Sequence, residues 1–461
     1  MKFINREQEL RALEEKWASK TAQLFIIYGK RRVGKTELIK QFIKGKNAVY
    51  FLASQSTEKD QLQSLGWAIG EQFGDSALAR NGFTQWLDVF EYLKKNIKER
   101  FILAIDEYPY LAEADKAVSS LFQKGWDEFL KECNVFLILS GSSIAMMEAE
   151  TLIYSAPLFG RRTGQLLLKP LAFRSSWQFF PDKSFNDFLG IYAITGGMPA
   201  YLAEFNPKIS IEDNVLGKIF LPTAYLFNEV DFILRQELRE PKNYMAILKA
   251  VAFGRTKLGN IVNETGLDKS LTNKYLSVLE RLQIVEREFS VTESPAVKSR
   301  KGLYKLCDNF VRFWFQYVYL YKSDLEIGRN DEPLRKMKEN FSVLESIAYE
   351  DVCRELVRDF ENSMFYFERV GKWWDKNEEI DVVALNSETK EILFGEAKWS
   401  QKMIGVDIYE NLKKKARLVD WNFGKRKEYY ALFSKSGFTK DMIALAKKEN
   451  VKLIHRNKLI L

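Results

Sequence analysis

Residues 24–44 read LFIIYGKRRVGKTELIKQFIK, and this stretch decides the fold of the first part of the chain. Its first five residues, Leu24–Tyr28, form an apolar run that predicts a buried parallel strand. Beyond the glycine-containing loop, apolar side chains recur at helical spacing, at Leu38, Ile39, Phe42 and Ile43. The stretch therefore predicts a strand, a glycine-rich loop and a helix in direct succession.

The loop Gly29–Thr36 matches the pattern G-x-x-x-x-G-K-[ST], which binds nucleotide phosphates in this strand–loop–helix context. Its glycines let backbone N–H groups face the phosphates, Lys35 reaches the β- and γ-phosphates, and the Thr36 hydroxyl is available to Mg²⁺. A chance match in a turn is the alternative, and the flanking elements favour the ATP loop. The predicted nucleotide-binding residues of this segment are Gly29, Arg31, Arg32, Val33, Gly34, Lys35, Thr36 and Glu37, with Lys35 also assigned to catalysis.

A second apolar strand, within FILAIDEYPYL, ends in Asp106 and Glu107. An acidic residue at the carboxyl end of a buried strand lies beside the phosphate site in open α/β sheets. We expect Asp106 to hold Mg²⁺ through water and Glu107 to orient and deprotonate the attacking water. The alternative is that both acids cap the next helix, and the apolar strand weakens it.

A third apolar strand, within NVFLILSGSSIAMM, ends in Ser140, Ser142 and Ser143. Small polar side chains at this position could contact the γ-phosphate, and Ser143 is our nucleotide-contact candidate. A serine could equally cap the following helix. The sequence leaves the two interpretations equal.

Arg161 and Arg162 lie between two glycines in PLFGRRTGQ. A cation there could act as an arginine finger on the transferred phosphate. A structural salt bridge is the competing interpretation. The sequence does not distinguish which of the two arginines would act.

The segments FINREQEL, GKRRVGKT, AIDEYPYL, LSGSS, PLFGRRTGQ and GGMPAYL occur in that order. In this the chain resembles the archaeal-type ATPase family, close to the signal-transducing ATPases with numerous domains (STAND) in the AAA-like P-loop group. The resemblance covers about residues 1–240. It implies that Asn5 and Arg6 lie near the adenine and that Pro199, in Gly197–Pro199, contacts nucleotide from a helical lid.

Residues 242–306 show three helical segments followed by two β-like stretches, the order of a winged helix-turn-helix. The helices are expected near Tyr244–Phe253, near Leu258–Thr265 with Gly266 as C-cap, and after the N-cap Asp268. A DNA-binding interpretation places two sets of side chains on DNA: Lys269, Ser270, Thr272, Asn273 and Lys274 in a major groove, and Lys298, Arg300 and Lys301 at the phosphates. The alternative is a nucleotide-dependent lever that contacts no DNA.

Residues 341–461 predict a separate α/β unit, with a helix over Ser342–Asp359 and a first strand over Met364–Val370. Asp381 lies in the next strand, and Glu396 and Lys398 end the one after it, so adjacent strands bring the three together. With Glu350 on the helix, Asp381 and Glu396 could bind Mg²⁺ or Mn²⁺. Asp381, Glu396 and Lys398 are the predicted catalytic set for phosphodiester hydrolysis.

This arrangement resembles the restriction-endonuclease-like, PD-(D/E)xK nuclease superfamily, although no proline precedes Asp381. A degenerate domain that only binds is the alternative. From Glu345 to Glu396 there are 6 basic and 14 acidic residues, and from Lys398 onward 16 basic and 6 acidic. The basic half contains Lys413–Lys415 and Lys425–Lys427, which suit a nucleic-acid backbone or a solvated helix face.

Composition narrows the chemistry further. The chain has 461 residues, a net charge of +8, three cysteines and one histidine, which excludes zinc sites built on histidine. The cysteines are scattered, and no apolar run reaches the length of a membrane span, so a cytoplasmic location without membrane insertion is expected. The basic excess permits nucleic-acid binding, but a Lys/Glu-rich surface explains it equally well.

The predicted fold class is therefore α/β, in five parts. They are a P-loop NTPase (AAA-like) core over 1–170, a helical lid over 171–240, a winged helix-turn-helix over 241–306, a helical linker over 307–340 and a restriction-endonuclease-like domain over 341–461. The predicted function is a Mg²⁺-dependent ATPase coupled to DNA binding and metal-dependent DNA cleavage. The rival is a STAND-like signalling or scaffold ATPase with a non-catalytic C-terminal domain and a protein partner, and homo-oligomerisation stays open.

Overall fold

The computed structural model describes residues 3–238, 240–293, 302–375 and 378–461. The chain divides into two compact units, residues 1–170 and residues 171–461. The first unit is built around one parallel sheet. The second contains a group of helices, a two-stranded hairpin and a larger mixed sheet.

The first unit has five parallel strands: β1 (Gln23–Tyr28), β2 (Ala48–Leu52), β3 (Phe101–Asp106), β4 (Val135–Gly141) and β5 (Gly164–Leu167). Their order in the sheet is β2-β3-β4-β1-β5. Every residue of β1, β3 and β4 is buried, as their apolar sequences predict. Because β4 lies between β1 and β3, the ends of all three strands meet at one edge of the sheet.

Helices of the first unit cover this sheet with apolar faces. The helix α2, for example, buries Leu38, Ile39 and Phe42, which confirms the helical spacing read from the sequence. The helices are α1 (Glu7–Ala18), α2 (Lys35–Ile43), α3 (Glu58–Phe73), α4 (Ser76–Asn81), α5 (Trp86–Asn96), α6 (Pro109–Ala114), α7 (Val118–Gly125) and α8 (Ile144–Met147). Two single π-helical turns, Trp126–Leu130 and Glu148–Leu152, follow α7 and α8.

The second unit begins with short helices and continues into three helices and a hairpin. The first group is α9 (Phe173–Trp177), α10 (Phe185–Thr195), α11 (Pro199–Glu204), α12 (Ile211–Val215), the π-helical turn Leu216–Phe220 and α13 (Glu229–Glu237). The next elements are α14 (Lys242–Ala252), α15 (Leu258–Thr265), α16 (Lys269–Arg281), β6 (Val285–Glu288) and β7 (Leu303–Leu306). The strands β6 and β7 pair antiparallel, so the predicted order of three helices and two strands is confirmed.

The predicted caps of these helices are also confirmed. Gly266 ends α15 in the left-handed conformation, at φ 68°. The Asp268 side chain accepts a hydrogen bond of 2.9 Å from the backbone N–H of Leu271 at the start of α16. Local cap chemistry therefore sets both helix ends.

The remaining elements build a six-stranded mixed sheet of order β13-β12-β11-β10-β9-β8. They are α17 (Asn309–Tyr317), α18 (Lys322–Glu326), α19 (Asp331–Leu356), β8 (Arg369–Asp375), β9 (Glu378–Asn386), β10 (Glu391–Lys398), α20 (Val406–Ala416), β11 (Lys427–Ser434), α21 (Lys440–Glu449), β12 (Lys452–His455) and β13 (Lys458–Leu459), with 3-10 turns at Tyr319–Tyr321 and Val357–Ser363. Side chains of α20 and α21 pack with Val383, Leu385 and Phe394 into one apolar core.

Two predicted elements of this region are wrong in their bounds. The helix predicted from Ser342 begins eleven residues earlier, at Asp331, and ends at Leu356. The strand predicted over Met364–Val370 lies instead at Arg369–Asp375. Phe365 and Phe367 are buried against each other in a loop, and the N–H of Phe367 donates to the Glu361 carboxylate at 2.8 Å.

Candidate functional site

The loop between β1 and α2 takes backbone conformations that favour glycine. Gly29 has φ 153° and Gly34 has φ 96°. A Cβ added to Gly29 would lie 2.4 Å from the carbonyl oxygen of Leu168, so no larger residue fits. Gly34 precedes the first residue of α2, and Arg32 also takes a positive φ, of 68°. The backbone therefore curls at the N-terminus of a helix, where anions are favoured.

Lys35 is 4% exposed, and its ammonium donates to the carbonyl oxygens of Gly29 and Lys30, at 3.0 Å each. These contacts fold the side chain back over the loop. The predicted phosphate-binding lysine is therefore held against the backbone of the loop and does not extend into bulk solvent.

Thr36 and Asp106 are 70 residues apart in sequence, and the Thr36 hydroxyl donates to Asp106 Oδ2 at 2.6 Å. Ser140 donates to Asp106 Oδ1 at 2.8 Å, and Tyr50 donates to Oδ2 at 2.9 Å. Burial and the charge of Asp106 raise the pKa of Tyr50, so the phenol stays protonated and a donor. Thr36 and Asp106 carry oxygen atoms of the kind that Mg²⁺ prefers, and their role in holding Mg²⁺ stays a prediction.

Glu107 follows β3 and takes a left-handed backbone conformation, with φ 56°. Its carboxylate accepts a hydrogen bond of 3.1 Å from the N–H of Ser142 and a short one from the Ser142 hydroxyl. The strained backbone and two donors from the neighbouring strand end fix its orientation. A carboxylate held in this way can position a water molecule.

The serines at the end of β4 are thus tied to the two acids, a role that the sequence did not predict. Ser140 holds Asp106, and Ser142 holds Glu107. Among the described residues here, Ser143 occupies the N-cap position of α8, but its side chain makes no capping hydrogen bond to that helix. Contact of Ser143 with the γ-phosphate stays a prediction.

Arg6 is 6% exposed and connects three parts of the first unit. It donates to the carbonyl oxygens of Val33 at 3.0 Å and Lys169 at 2.8 Å, and it pairs with Glu9 at 2.9 Å. The N–H of Arg6 donates to the Asn5 side chain at 2.6 Å. The contact with Val33 brings this pair of residues to the phosphate loop, and their adenine contact stays a prediction.

The arginines after α8 both make contacts within the first unit. Arg161 forms an ion pair with Asp127 at 2.9 Å, and Arg162 donates to the carbonyl oxygens of Thr151 and Leu152. Arg162 also lies 4.9 Å from the centre of the Phe159 ring. The salt-bridge interpretation thus describes Arg161 as it stands. In the phosphate loop, Arg31 donates a long hydrogen bond of 3.4 Å to the hydroxyl of Tyr110.

In the second unit, β9 and β10 pair antiparallel, which brings Asp381 beside Glu396 as predicted. Asp381 is 5% exposed and Glu396 is 4% exposed. Burial, followed by the charges of Glu350 and Glu396, raises the pKa of Asp381 to about 7. Asp381 therefore lies close enough to both Glu350 and Glu396 for their like charges to repel its own.

Lysines surround this carboxylate cluster, which we define as Glu350, Asp381 and Glu396. Lys398 lies 2.7 Å from Glu396, and Lys372 lies 3.3 Å from Glu350. Burial alone would lower the pKa of Lys398, but Glu396, Asp381 and Glu350 together raise it. Lys398 is therefore a protonated ammonium at neutral pH, which favours an orienting role over that of a general base.

Backbone contacts hold the cluster in place. Asp381 Oδ2 accepts from the N–H of Ala397 at 3.0 Å, and Arg354 of α19 donates to the carbonyl oxygen of Asp381 at 2.7 Å. Within the described ranges, no group of three or more Asp, Glu, His or Cys side chains is arranged around a point where a metal ion would sit. Metal binding by this cluster stays a prediction.

Two predicted DNA contacts are contradicted by burial. Thr272 is fully buried and donates to the carbonyl oxygen of Asp268 at 2.9 Å, because it lies on the inner face of α16. The Arg426 side chain, in the basic run Lys425–Lys427, is 1% exposed and donates to backbone carbonyl oxygens, among them those of Val419 and Ala416. Lys269, Ser270 and Lys274 are exposed. Lys298, Arg300 and Lys301 lie outside the described residues.

The exposed end of α16 borders a cleft of about 1130 Å³. Its basic and amide side chains include Lys257, Lys269, Asn273 and Arg287. The paired ends of β8 and β9 also line it, with Asp375, Glu378 and Glu379. Asp375 and Glu378 are directly opposite each other, an unfavourable pairing of like charges. Both basic and acidic side chains therefore line this cleft.

A parallel sheet, a glycine-bounded phosphate loop at a helix N-terminus, and an acidic residue bonded to the loop threonine define a P-loop NTPase. Residues 3–205 match a family described as an ATPase domain predominantly from Archaea, and residues 314–416 match one described as "Archaea bacterial proteins of unknown function". An uncharacterised protein of Methanocaldococcus jannaschii is 36% identical over 439 residues, which is 94% of this chain and 95% of that protein. The chain belongs to the archaeal-type ATPase family together with this protein.

Two further similarities agree with this assignment. An uncharacterised ATP-binding protein of the same organism is 57% identical over 44 residues, or 10% of this chain and 75% of that protein. The structure of a Walker-type ATPase of Pyrococcus abyssi, 22% identical, covers 68% of this chain and 96% of its own length with a TM-score of 0.54. The second similarity supports the fold alone.

Pro199, predicted to contact nucleotide, is the first residue of α11 in the second unit. Among the described residues, no helix has the length and apolarity needed to span a bilayer.

Proposed function

We propose that this ATPase uses ATP binding and hydrolysis to control DNA binding by its second unit, and that the carboxylate cluster cleaves DNA with a divalent metal ion. The observation that carries the proposal is the convergence of Glu350, Asp381 and Glu396 with Lys398, far along the chain from the phosphate loop. ATP turnover does not need this second buried acidic cluster. A separate chemistry on a phosphate-containing polymer accounts for it.

In the ATPase step, the loop N–H groups and Lys35 would bind the phosphates, and Thr36 and Asp106 would hold Mg²⁺. Glu107, fixed by Ser142, would orient the attacking water and accept its proton. Ser140 and Tyr50 keep Asp106 in the orientation that Thr36 requires. Arg161 or Arg162 could stabilise the developing charge only after leaving its present partners.

DNA binding is assigned to α14–α16 and the β6–β7 hairpin, which we interpret as a winged helix-turn-helix. The exposed side chains of Lys269, Ser270 and Lys274 at the start of α16 are its candidate DNA contacts. The carboxylates of Asp375, Glu378 and Glu379 in the same cleft would repel a phosphate backbone. We therefore expect tight binding only when the ends of β8 and β9 move away from α16.

For cleavage, the oxygen ligands would come from Asp381 and Glu396, with Glu350 nearby. When bound, the metal ion supplies a water of lowered pKa and charge stabilisation at the leaving oxygen. Lys398, protonated, would orient the scissile phosphate. The restriction-endonuclease-like assignment of residues 341–461 belongs to this same proposal.

The rival function is a nucleotide-gated signalling or scaffold ATPase whose second unit binds a protein partner. One observation favours it: lysines lie within ion-pair distance of Glu350 and Glu396 and compensate their charges. Ion pairs of this kind are what a cluster retained only for structure would need.

Two measurements on the full-length protein test the proposal. The affinity of Glu107→Gln protein for labelled duplex and branched DNA should differ between samples with and without ATP. If the second unit binds a protein partner instead, ATP should have no effect on DNA affinity. The same DNA incubated with Mn²⁺ should be cut by the wild type and not by Asp381→Ala. DNA binding without cleavage in either protein would leave an ATPase that controls DNA binding and has an inactive nuclease domain.

A further inference from the structure

Lys415 lies in the last turn of α20, and its ammonium is 3.1 Å from both carboxylate oxygens of Glu396. Its side chain is only 13% exposed, and that of Glu396 is 5% exposed. The run Lys413–Lys415 suits either a nucleic-acid backbone or a solvated helix face when only the sequence is considered. The structure instead directs it into the carboxylate cluster.

The position of this ammonium matters for any cation that Glu396 could bind. A point equidistant from both oxygens of a carboxylate is the bidentate position that a cation takes on such a group. Lys398 contacts Oε1 alone, at 2.7 Å. Lys415 therefore occupies the bidentate position, and Lys398 lies to one side of it.

A counter-cation at this position has a clear physical cause. A carboxylate that is 4% exposed is costly to ionise unless a positive group compensates its charge. Asp381 cannot supply that charge and repels Glu396 instead. Lys415 is well placed to compensate because the rigid helix α20 carries it.

We propose that Lys415 is the resident counter-cation of Glu396 and competes with a divalent metal ion for this carboxylate. Metal binding then requires Lys415 to leave, so the cluster has a lysine-closed form and a metal-bound form. This inference rests on the proposed function, in which Asp381 and Glu396 are metal ligands. It adds a residue that regulates access of the metal ion to the centre.

The test measures Mn²⁺ binding by titration calorimetry, with full-length, nucleotide-free protein. Lys415→Met keeps the aliphatic stem and removes the charge, and it should bind Mn²⁺ about tenfold or more tightly than the wild type does. Lys415→Gln provides a second neutral variant if Lys415→Met folds poorly. Lys414→Met is the matched control, since Lys414 is the exposed neighbour on the same helix. Lys415→Arg retains the cation and should bind as the wild type does.

The outcomes separate this inference from the nuclease proposal. Tighter binding in both neutral Lys415 variants, with Lys414→Met unchanged, supports it, even if the wild type shows no measurable Mn²⁺ binding. Equal or weaker binding in the neutral variants overturns the inference and leaves the metal centre standing. Absence of binding in all proteins, the Lys415 variants included, overturns both.

Discussion

Ser142 donates two hydrogen bonds to the carboxylate of Glu107, one from its backbone N–H at 3.1 Å and one from its hydroxyl. The two residues come from the ends of neighbouring parallel strands, β4 and β3. The backbone of Glu107 is in the left-handed region, so its orientation depends on these contacts. The carboxylate that we propose to be catalytic is therefore positioned by a residue at the end of another strand.

Replacement of Ser142 by Ala should lower the rate of ATP hydrolysis by about tenfold, because one of the two donors that orient Glu107 is lost. ATP affinity should change little, since neither residue is assigned to phosphate binding. Steady-state kinetics gives the test: kcat falls while KM stays near the wild-type value. A raised KM with unchanged kcat would show that Ser142 acts on nucleotide binding instead.

Glu107→Gln should bind ATP normally and reduce hydrolysis by at least about a hundredfold, because the amide cannot accept the proton of water. Binding is followed with a fluorescent ATP analogue and turnover by phosphate release. Glu113→Gln, a change in the helix that follows, serves as the control. A Glu107→Gln protein with wild-type turnover would remove Glu107 from the catalytic role.

Lys35→Ala should abolish ATP binding, because the variant lacks the cation held over the phosphate loop. Lys44→Ala, at the far end of the same helix, is the matched control and should bind ATP as the wild type does. Equal affinity in the two variants would contradict the assignment of the loop.

Much of the nucleotide site could be predicted because one continuous stretch of sequence encodes it. The strand, the curled loop and the helix around Lys35 are all encoded by neighbouring residues. Tyr50, Ser140 and Arg6 were missed as holders of the site because their partners lie 56, 34 and 27 residues away. No motif links these residues, whereas the phosphate-loop motif itself implies an acid such as Asp106 beside Thr36. A single sequence carries no signal for such pairings once the strand order is unknown.

The same limit explains the errors in the second unit. The segment Met364–Val370 has the composition of a strand, but its aromatic side chains are buried in a loop and the Glu361 carboxylate takes the N–H of Phe367. Thr272 was placed on DNA by its position in the helix, yet its side chain faces the interior. The proximity of Asp381 and Glu396 was predictable, because β9 and β10 follow each other in the chain and alternation fixes the face on which each side chain lies.

Asp381→Asn should stabilise the metal-free protein at pH 8 and have less effect at pH 5. Burial and the nearby carboxylates raise the pKa of Asp381 to about 7, well above its value in an unfolded chain. The fold therefore favours the protonated Asp381 carboxyl over the ionised carboxylate. The stability that depends on this protonated form is full at low pH and is lost as the pH rises through about 7. Thermal unfolding should give a Tm at least about 2 °C higher for the variant at pH 8. A Tm difference that does not grow with pH would contradict the coupling within the cluster.

Combined replacement of Asp375, Glu378 and Glu379 by Asn and Gln should tighten DNA binding by about tenfold, because it removes repulsion beside α16. The matched control replaces three exposed acids elsewhere in the second unit, Glu326, Glu332 and Glu339, by Gln. Fluorescence anisotropy at fixed salt compares the two sets. An equal gain in both would assign the effect to net charge and not to the cleft.

The most direct test of the central claim is the steady-state rate of ATP hydrolysis by the full-length protein as DNA is added. Duplex or branched DNA should change this rate severalfold, and Lys269→Ala combined with Lys274→Ala should remove the response while the rate without DNA is kept. A rate that stays the same at every DNA concentration would contradict the coupling of ATP turnover to DNA.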